Sequence, residues 1–300
     1  MNIISYFCKE KDFRFQISDF RFQIIGNHNQ LQNMNTDALV ASLLYKLSNF
    51  INFTNSAMQR KINPFYTIYE FLVFWPIAVV ITTLTAVITI AITPFSKSAK
   101  WGYYPAIVWA RLMCAVALIR VNIEGRERYN QKQSYIFVAN HQSAYDIFPI
   151  YGYIGNRFVW IMKKELQSIP LVGKACSAVG HIFIDRSSAI KSKHSIEDAE
   201  RKLTNGMSVV IFPEGSRTRT GEMGRFKRGA FSIAADLHLP VVPITINGAY
   251  DVLPAGSVLI KPGTIELIFH DPIDTTDLTH ENLNEFLENT RNIIANDLKD

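Results

Sequence analysis

The sequence predicts an α/β fold: a mixed, mostly parallel sheet flanked by helices, with an N-terminal hydrophobic, membrane-attached helical segment in front of it. Past Arg120, short β-rich runs alternate with helical stretches, the order expected when helices cover the faces of a largely parallel sheet. Residues 71–95 run without a charge, long enough at about 1.5 Å per residue to cross a hydrocarbon layer of about 30 Å. The 300 residues are 48% hydrophobic and 19% charged, which supplies one large core plus an appendage and excludes a disordered scaffold.

Residues 1–57 are expected to lie outside the functional fold. They carry a near-duplication, 12–18 followed by 19–25, in which Phe and Arg alternate. Two copies are too few for a repeat architecture to bury a continuous core. A true start at Met34 or Met58 is expected to account for this placement outside the fold. Residues 58–119 are expected to form membrane-attached hydrophobic helices. The apolar run at 71–95 is too far from Met1 for a cleaved signal peptide, and cations flank both of its ends, so positive-inside asymmetry gives no orientation. A second apolar stretch, 101–119, has Arg111 near its middle, which argues against a simple span; an interfacial or re-entrant helix would keep that guanidinium near lipid phosphates.

Residues 120–300 are expected to form the α/β domain. Strands are predicted at 134–139, 158–162, 181–184, 208–212, 241–246 and 264–269, and helices at 144–153, 188–203, 229–237 and 283–298. Ligands of open α/β sheets sit beyond the carboxyl ends of the strands, so the polar residues that follow each strand are the ones to read.

Charge is uneven along the chain. The formal net charge of +5 conceals a middle region, 120–230, with eighteen Lys/Arg against ten Asp/Glu, and a tail, 231–300, with three against eleven. A basic middle beside an acidic tail points to an anion held at a local site and argues against nucleic acid as a partner. Cys8, Cys114 and Cys176 are widely spaced with no C-x-x-C pair, as expected in a reducing compartment. His181, His194 and His238 show no metal-ligand spacing with carboxylates, so neither a metal nor another cofactor is expected.

Asn140-His141-Gln-Ser-Ala-Tyr-Asp146 follows an apolar strand directly. On one regular helix His141 and Asp146 would point about 140° apart, so the chain must turn between them for the two side chains to meet. A strand ending at His141, with Ser143 as N-cap, lets the Asp146 carboxylate accept a hydrogen bond from one ring nitrogen while the other takes a proton. Ser143-x-x-Asp146 equally fits a capping box, in which Asp146 only satisfies a backbone N–H. Phe212-Pro-Glu-Gly-Ser-Arg217 follows another apolar strand, with Arg219, Arg225, Lys227 and Arg228 close behind, a composition suited to a phosphate monoester. A local Glu214–Arg217 ion pair with solvated neighbours is the plainer alternative. Ser216 lacks the flanking glycines of a G-x-S-x-G nucleophile elbow, and Gly173-Lys174 lacks the rest of a Walker A loop.

These blocks resemble the glycerophosphate acyltransferase family, most closely its bacterial 1-acyl-glycerol-3-phosphate acyltransferases. The His-x4-Asp block matches His141 and Asp146. Lys163-Lys164-Glu-Leu166 with Pro170 and Gly173 comes next, followed by Gly180 to Arg186, by Phe212 to Arg217 with Lys227 and Gly229, and by Val242-Pro243-Ile244, all in the family's order across about 135–247. The resemblance implies acyl transfer from acyl-CoA or acyl-carrier protein to the free hydroxyl of a lysophosphatidic acid, giving phosphatidic acid, at a cell membrane with the catalytic domain facing the cytoplasm and membrane lipid as a partner. It implies His141 as general base supported by Asp146, without an acyl-enzyme. Arg186, Glu214, Gly215, Ser216 and Arg217 are the implied acceptor ligands, with Lys163, Lys164 and Lys227 as further anion ligands. Backbone N–H groups near Gly215 are the candidate oxyanion donors. The alternatives are another acceptor, glycerol-3-phosphate or a lyso-aminolipid, and a non-catalytic lipid-binding membrane protein.

Overall fold

The structure, a computed structural model, describes residues 62–95, 100–184 and 207–299. The 1–57 extension, the helix expected at 188–203, and Arg186 lie outside the described residues. The chain divides into two compact units, Met1–Trp75 and Pro76–Asp300.

In the first unit a short helix, Pro64–Tyr69, starts with proline at its first position and with Asn63 as cap, whose side-chain oxygen accepts from the Phe65 N–H at 2.9 Å. A π-helical turn, Glu70–Phe74, follows. The second unit takes up the helix Trp75–Ile92 from Pro76 onward. The helical run Pro64–Phe95, 32 residues, is long and apolar enough to cross a membrane, and only 17% of its most apolar stretch is buried. So low a burial argues against a soluble core helix and is compatible with membrane association.

The second unit is built on a seven-stranded sheet: β1 (Ile119–Glu124), β2 (Ile136–Ala139), β3 (Phe158–Lys163), β4 (Ile182–Ile184), β5 (Ser208–Ile211), β6 (Val241–Asn247) and β7 (Gly263–Phe269). Their spatial order is β1-β7-β6-β2-β5-β3-β4, and every pairing is parallel except β6 with β7. Central strands β2, β5 and β6 are buried at every position, which is why they read as continuous apolar runs. One face carries Ile136, Val138, Val159, Val209 and Ile211, packed with Phe231 of the helix Arg228–Leu237 and with Leu283, Leu287 and Ile294 of the C-terminal helix Leu283–Asn296.

Strand β1 is outside the sequence expectation and begins at Ile119, the last residue of the apolar stretch 101–119. Ile119-Arg-Val-Asn-Ile-Glu alternates at an exposed edge, and Gly125 closes it with φ +75° where a Cβ would collide with the Phe269 carbonyl oxygen. The helix Lys100–Val116 is part of the α/β unit: Trp109 packs on Phe148 at 5.0 Å, and the Tyr103 hydroxyl donates to Asn156 O at 2.9 Å. Arg111 is exposed; its Nε donates to Gly152 O at 2.9 Å and its guanidinium carbon stands 5.0 Å from the Tyr153 ring centroid.

Candidate active site

Because β2, β5, β3 and β4 are mutually parallel neighbours, the segments after them gather along one edge of the sheet. The segment after β2 starts with Asn140, which is fully buried and clasps the next strand: Nδ2 donates to Ile246 O at 2.9 Å, and the Ile246 N–H donates to Oδ1 at 2.8 Å. This clasp satisfies the first residue off the sheet and fixes where His141 begins.

His141 Nδ1 lies 2.8 Å from Asp146 Oδ2, and the same oxygen accepts the Gln142 N–H at 2.9 Å and the Ser143 N–H at 2.8 Å. Ser143 Oγ accepts the Tyr145 N–H at 3.0 Å and donates to Leu253 O at 2.7 Å. The two readings of the block therefore coexist. One carboxylate oxygen closes a capping box on the turn Ala144–Asp146 and takes the imidazole as well. An oxygen already holding two backbone donors acts toward the ring as an acceptor, so Nδ1 carries the hydrogen in this contact. Asp146 is fully buried and the His141 side chain is 16% exposed, so the pair opens to the outside through the ring alone.

The imidazole face is fixed too. Phe212, just past β5, stacks on it at 3.9 Å and 11°, and Trp160 of β3 stacks behind Phe212 at 5.4 Å and 20°. The His141 backbone is gripped on both sides by the loop after β5: its N–H donates to Glu214 Oε1 at 2.7 Å, and its carbonyl accepts the Thr218 N–H at 3.0 Å. Glu214 Oε2 accepts the Gly224 N–H at 2.8 Å. Burial pushes the Glu214 carboxyl above its ordinary value, against the lowering effect of these two N–H donors. Glu214 thus joins two loop segments, and no Glu214–Arg217 ion pair forms. Gln142 adds a tie through Nε2 to Gly221 O at 2.8 Å, and Tyr250 through its hydroxyl to Arg219 O at 2.8 Å.

At Gly215, φ is +76° and Lys227 Nζ stands 2.6 Å from where a Cβ would be, so the ammonium lies over a bare glycine backbone. The Gly215 N–H donates to Phe212 O at 3.0 Å. That bond engages the Gly215 N–H itself and leaves the neighbouring backbone N–H groups as the candidate oxyanion donors. Ser216 is exposed on the same turn. Arg217 is half-buried and has no partner among the described residues. Lys163 and Lys164 are exposed at the end of β3, on the same sheet edge but two strand spacings from β2, about 10 Å. Phe212, Asn140, Gln142 and Tyr250 support the site without having been singled out as ligands or catalysts. A polar residue directly after a fully apolar strand was the available signal for Asn140; the long-range ties of Gln142 and Tyr250 have none.

An imidazole with a buried carboxylate on one nitrogen, and in the neighbouring loop an arginine with no partner among the described residues, is chemically suited to take a proton near a bound anion. Residues 120–247 match the model of the Acyltransferase family. The chain is also similar to 1-acyl-sn-glycerol-3-phosphate acyltransferases. It is 34% identical over 176 residues to a chloroplastic one from Arabidopsis thaliana, covering 58% of this chain and 49% of that protein. It is 33% identical over 176 residues to the human alpha enzyme, covering 58% of this chain and 62% of that one. The chain thus spans about half to two thirds of the length of these curated relatives. The crystal structure of the 1-acyl-sn-glycerophosphate (LPA) acyltransferase from Thermotoga maritima superposes with a TM-score of 0.67 at 26% identity, covering 78% of this chain and 94% of that one.

Proposed function

We propose that the chain transfers a fatty acyl group from acyl-CoA or acyl-carrier protein to the free hydroxyl of 1-acyl-glycerol-3-phosphate, producing phosphatidic acid. The observation that carries this reading is the His141 Nδ1–Asp146 Oδ2 contact at 2.8 Å, with Nε2 left as the open base. As the acceptor hydroxyl attacks the thioester carbonyl carbon, its proton passes to Nε2 and the new C–O bond forms. The C–S bond then breaks, and the leaving thiolate takes the proton back from the imidazolium. Asp146 keeps Nδ1–H pointed inward and supports the positive ring, while Phe212 holds its plane.

Arg217 takes the acceptor phosphate, with the Lys227 ammonium over Gly215 as a second charge. Arg186 serves the acceptor's glycerol or phosphate, and Lys163 and Lys164 the phosphate or the donor's anionic head. Glu214, with both oxygens engaged by backbone N–H groups, positions His141 and leaves at most a spare lone pair for a glycerol hydroxyl. In this reading 120–300 is the acyltransferase domain and 58–119 the membrane-attached segment, with the helix Lys100–Val116 joining the two. The site works at a cell membrane facing the cytoplasm, where an acceptor whose every buried CH₂ is worth about 0.8 kcal/mol need not leave the bilayer.

The test is a mass-spectrometric transfer assay in vesicles offering 1-acyl-glycerol-3-phosphate, glycerol-3-phosphate and a lyso-aminolipid together, with acyl-CoA and acyl-carrier protein as donors. Phosphatidic acid as the main product is expected. A different acylated acceptor reassigns the substrate, and no transfer at all leaves a lipid-binding protein. Arg217→Ala is expected to raise the acceptor KM about tenfold or more, as loss of one charge-assisted contact predicts, with little change in the donor KM. The reverse pattern moves the phosphate elsewhere.

A further inference from the structure

We propose that Arg291, on the C-terminal helix, is a positioning residue that holds the Glu214–Arg217 loop against His141. The helix Leu283–Asn296 buries Leu283, Leu287, Thr290 and Ile294 along one stripe, and Phe286 meets Phe231 edge-on at 6.1 Å. Arg291 sits at the border of that stripe. Its Nε donates to Gly224 O and its Nη2 to Met223 O, each at 3.3 Å, so one guanidinium fork spans two consecutive carbonyls.

Gly224 is the hinge of the inference. Its carbonyl accepts from Arg291, its N–H donates to Glu214 Oε2 at 2.8 Å, and the other Glu214 oxygen receives the His141 N–H at 2.7 Å. A Cβ at Gly224 would stand 3.0 Å from Glu214 Oε2, so carboxylate and turn are in close contact. A cation on one side of the turn and a buried carboxylate on the other draw the same peptide dipoles in one direction, which strengthens both sets of bonds. If the turn drifts outward, Glu214 loses one of its two donors, and its grip on the His141 backbone weakens with it. The ties from Thr218, Gln142 and Tyr250 remain, so the effect is graded. Arg291 lies beyond residue 247, where the family match ends, and within the stretch from 231 that has three Lys/Arg against eleven Asp/Glu. A cation there is unusual for its surroundings, and the bonds to 223 and 224 account for it.

The inference rests on the reading of His141, Glu214 and Arg217 given above, so two kinds of measurement separate the claims. In the full chain, amide hydrogen exchange of Arg291→Met is expected to speed up at Gly224 and His141 by about tenfold, the loss of roughly one hydrogen bond's worth of local protection. Unchanged protection there overturns the proposal whatever the activity. In the acyl-transfer assay Arg291→Met is expected to lower kcat/KM for the acceptor about tenfold with the donor KM unchanged, since small misplacements at a reacting centre are costly. Arg291→Lys, whose ammonium reaches one carbonyl, should recover at least half of that loss. Arg128→Met removes a bond of the same kind, from Nη1 to Phe269 O at 3.2 Å at the far edge of the sheet, and should leave kcat/KM as in the parent. Equal losses in Arg128→Met and Arg291→Met, or no recovery in Arg291→Lys, mean general destabilisation and overturn the positioning role. A parent protein inactive on every acceptor, with faster exchange in Arg291→Met, overturns the acyltransferase reading while the loop contact stands.

Discussion

Two histidines stand at opposite ends of one aromatic column, and their surroundings assign them opposite chemistry. From His141 the column runs through Phe212 at 3.9 Å and Trp160 at 5.4 Å to Tyr151 at 6.4 Å and then His181 at 6.0 Å. At the sheet edge, His141 has a carboxylate on Nδ1 and is partly exposed. In the interior, His181 is 5% exposed; its Nδ1 accepts the Trp160 N–H at 3.3 Å and its Nε2 faces the Tyr151 hydroxyl at 3.2 Å. Both rings are held on two edges by hydrogen bonds or aromatic contacts, so order alone does not make a base. The difference is what a second proton would meet. At His141 it arrives at an open nitrogen while a carboxylate balances the charge. At His181 it would have to sit on Nδ1, against a backbone N–H, with no anion to offset it.

The largest effect that tests this contrast comes from His141→Ala, which is expected to lower acyl transfer at least 100-fold, the usual scale of general base catalysis, while membrane binding and melting temperature stay near the parent's. Turnover at parental rate would end the assignment of His141 as the base. Next is Asp146→Asn. The amide keeps the shape but offers an N–H or a neutral oxygen where an anion supported the ring, so kcat is expected to fall about 100-fold, with a smaller loss of stability from the weakened cap. A variant that melts earlier but turns over normally would make Asp146 a capping residue only.

The His141 side of the contrast is legible in the sequence, and the reason is local. Asn140, His141, Ser143 and Asp146 lie within one turn of chain after a strand apolar throughout, so the strand's end and the turn's cap follow from neighbouring residues. The strands after β1 fall within two residues of expectation because they are continuous apolar runs. Strand β1 escaped because its exposed edge position lets Arg120, Asn122 and Glu124 alternate with apolar residues, right after an apolar helix. The helix Val172–Ala178 escaped for another reason. It is one short segment entered through Leu171 at φ +62°, a backbone state that no side-chain pattern announces. Glu214 is an acceptor ligand by the family resemblance alone; its observed partners are backbone N–H groups at positions 141 and 224, and backbone donors leave no trace in composition. The same holds for Arg291, whose acceptors are two carbonyls.

At neutral pH the smallest effect belongs to His181, and it shows in stability. Burial pushes the His181 pKa down to about 3 from an ordinary value near 6.5. With the folded value below the unfolded one, the unfolded chain binds the extra proton between pH 6.5 and 3. The contribution of this residue is therefore fully present above 6.5 and is lost as the pH falls toward 3, with a slope of at most about 1.4 kcal/mol per pH unit. His181→Gln keeps an acceptor for Trp160 N–H and a donor for Tyr151 but cannot be protonated. Its melting temperature should thus fall less than the parent's between pH 7 and pH 5, while acyl transfer at pH 7.5 stays within about twofold, as expected of a substitution remote from the reacting atoms. If the two proteins lose stability in parallel on acidification, the interior histidine titrates like a solvated one, and the distinction drawn from its partners fails. If instead transfer collapses in His181→Gln, the column couples the two rings more tightly than their separate hydrogen bonds imply.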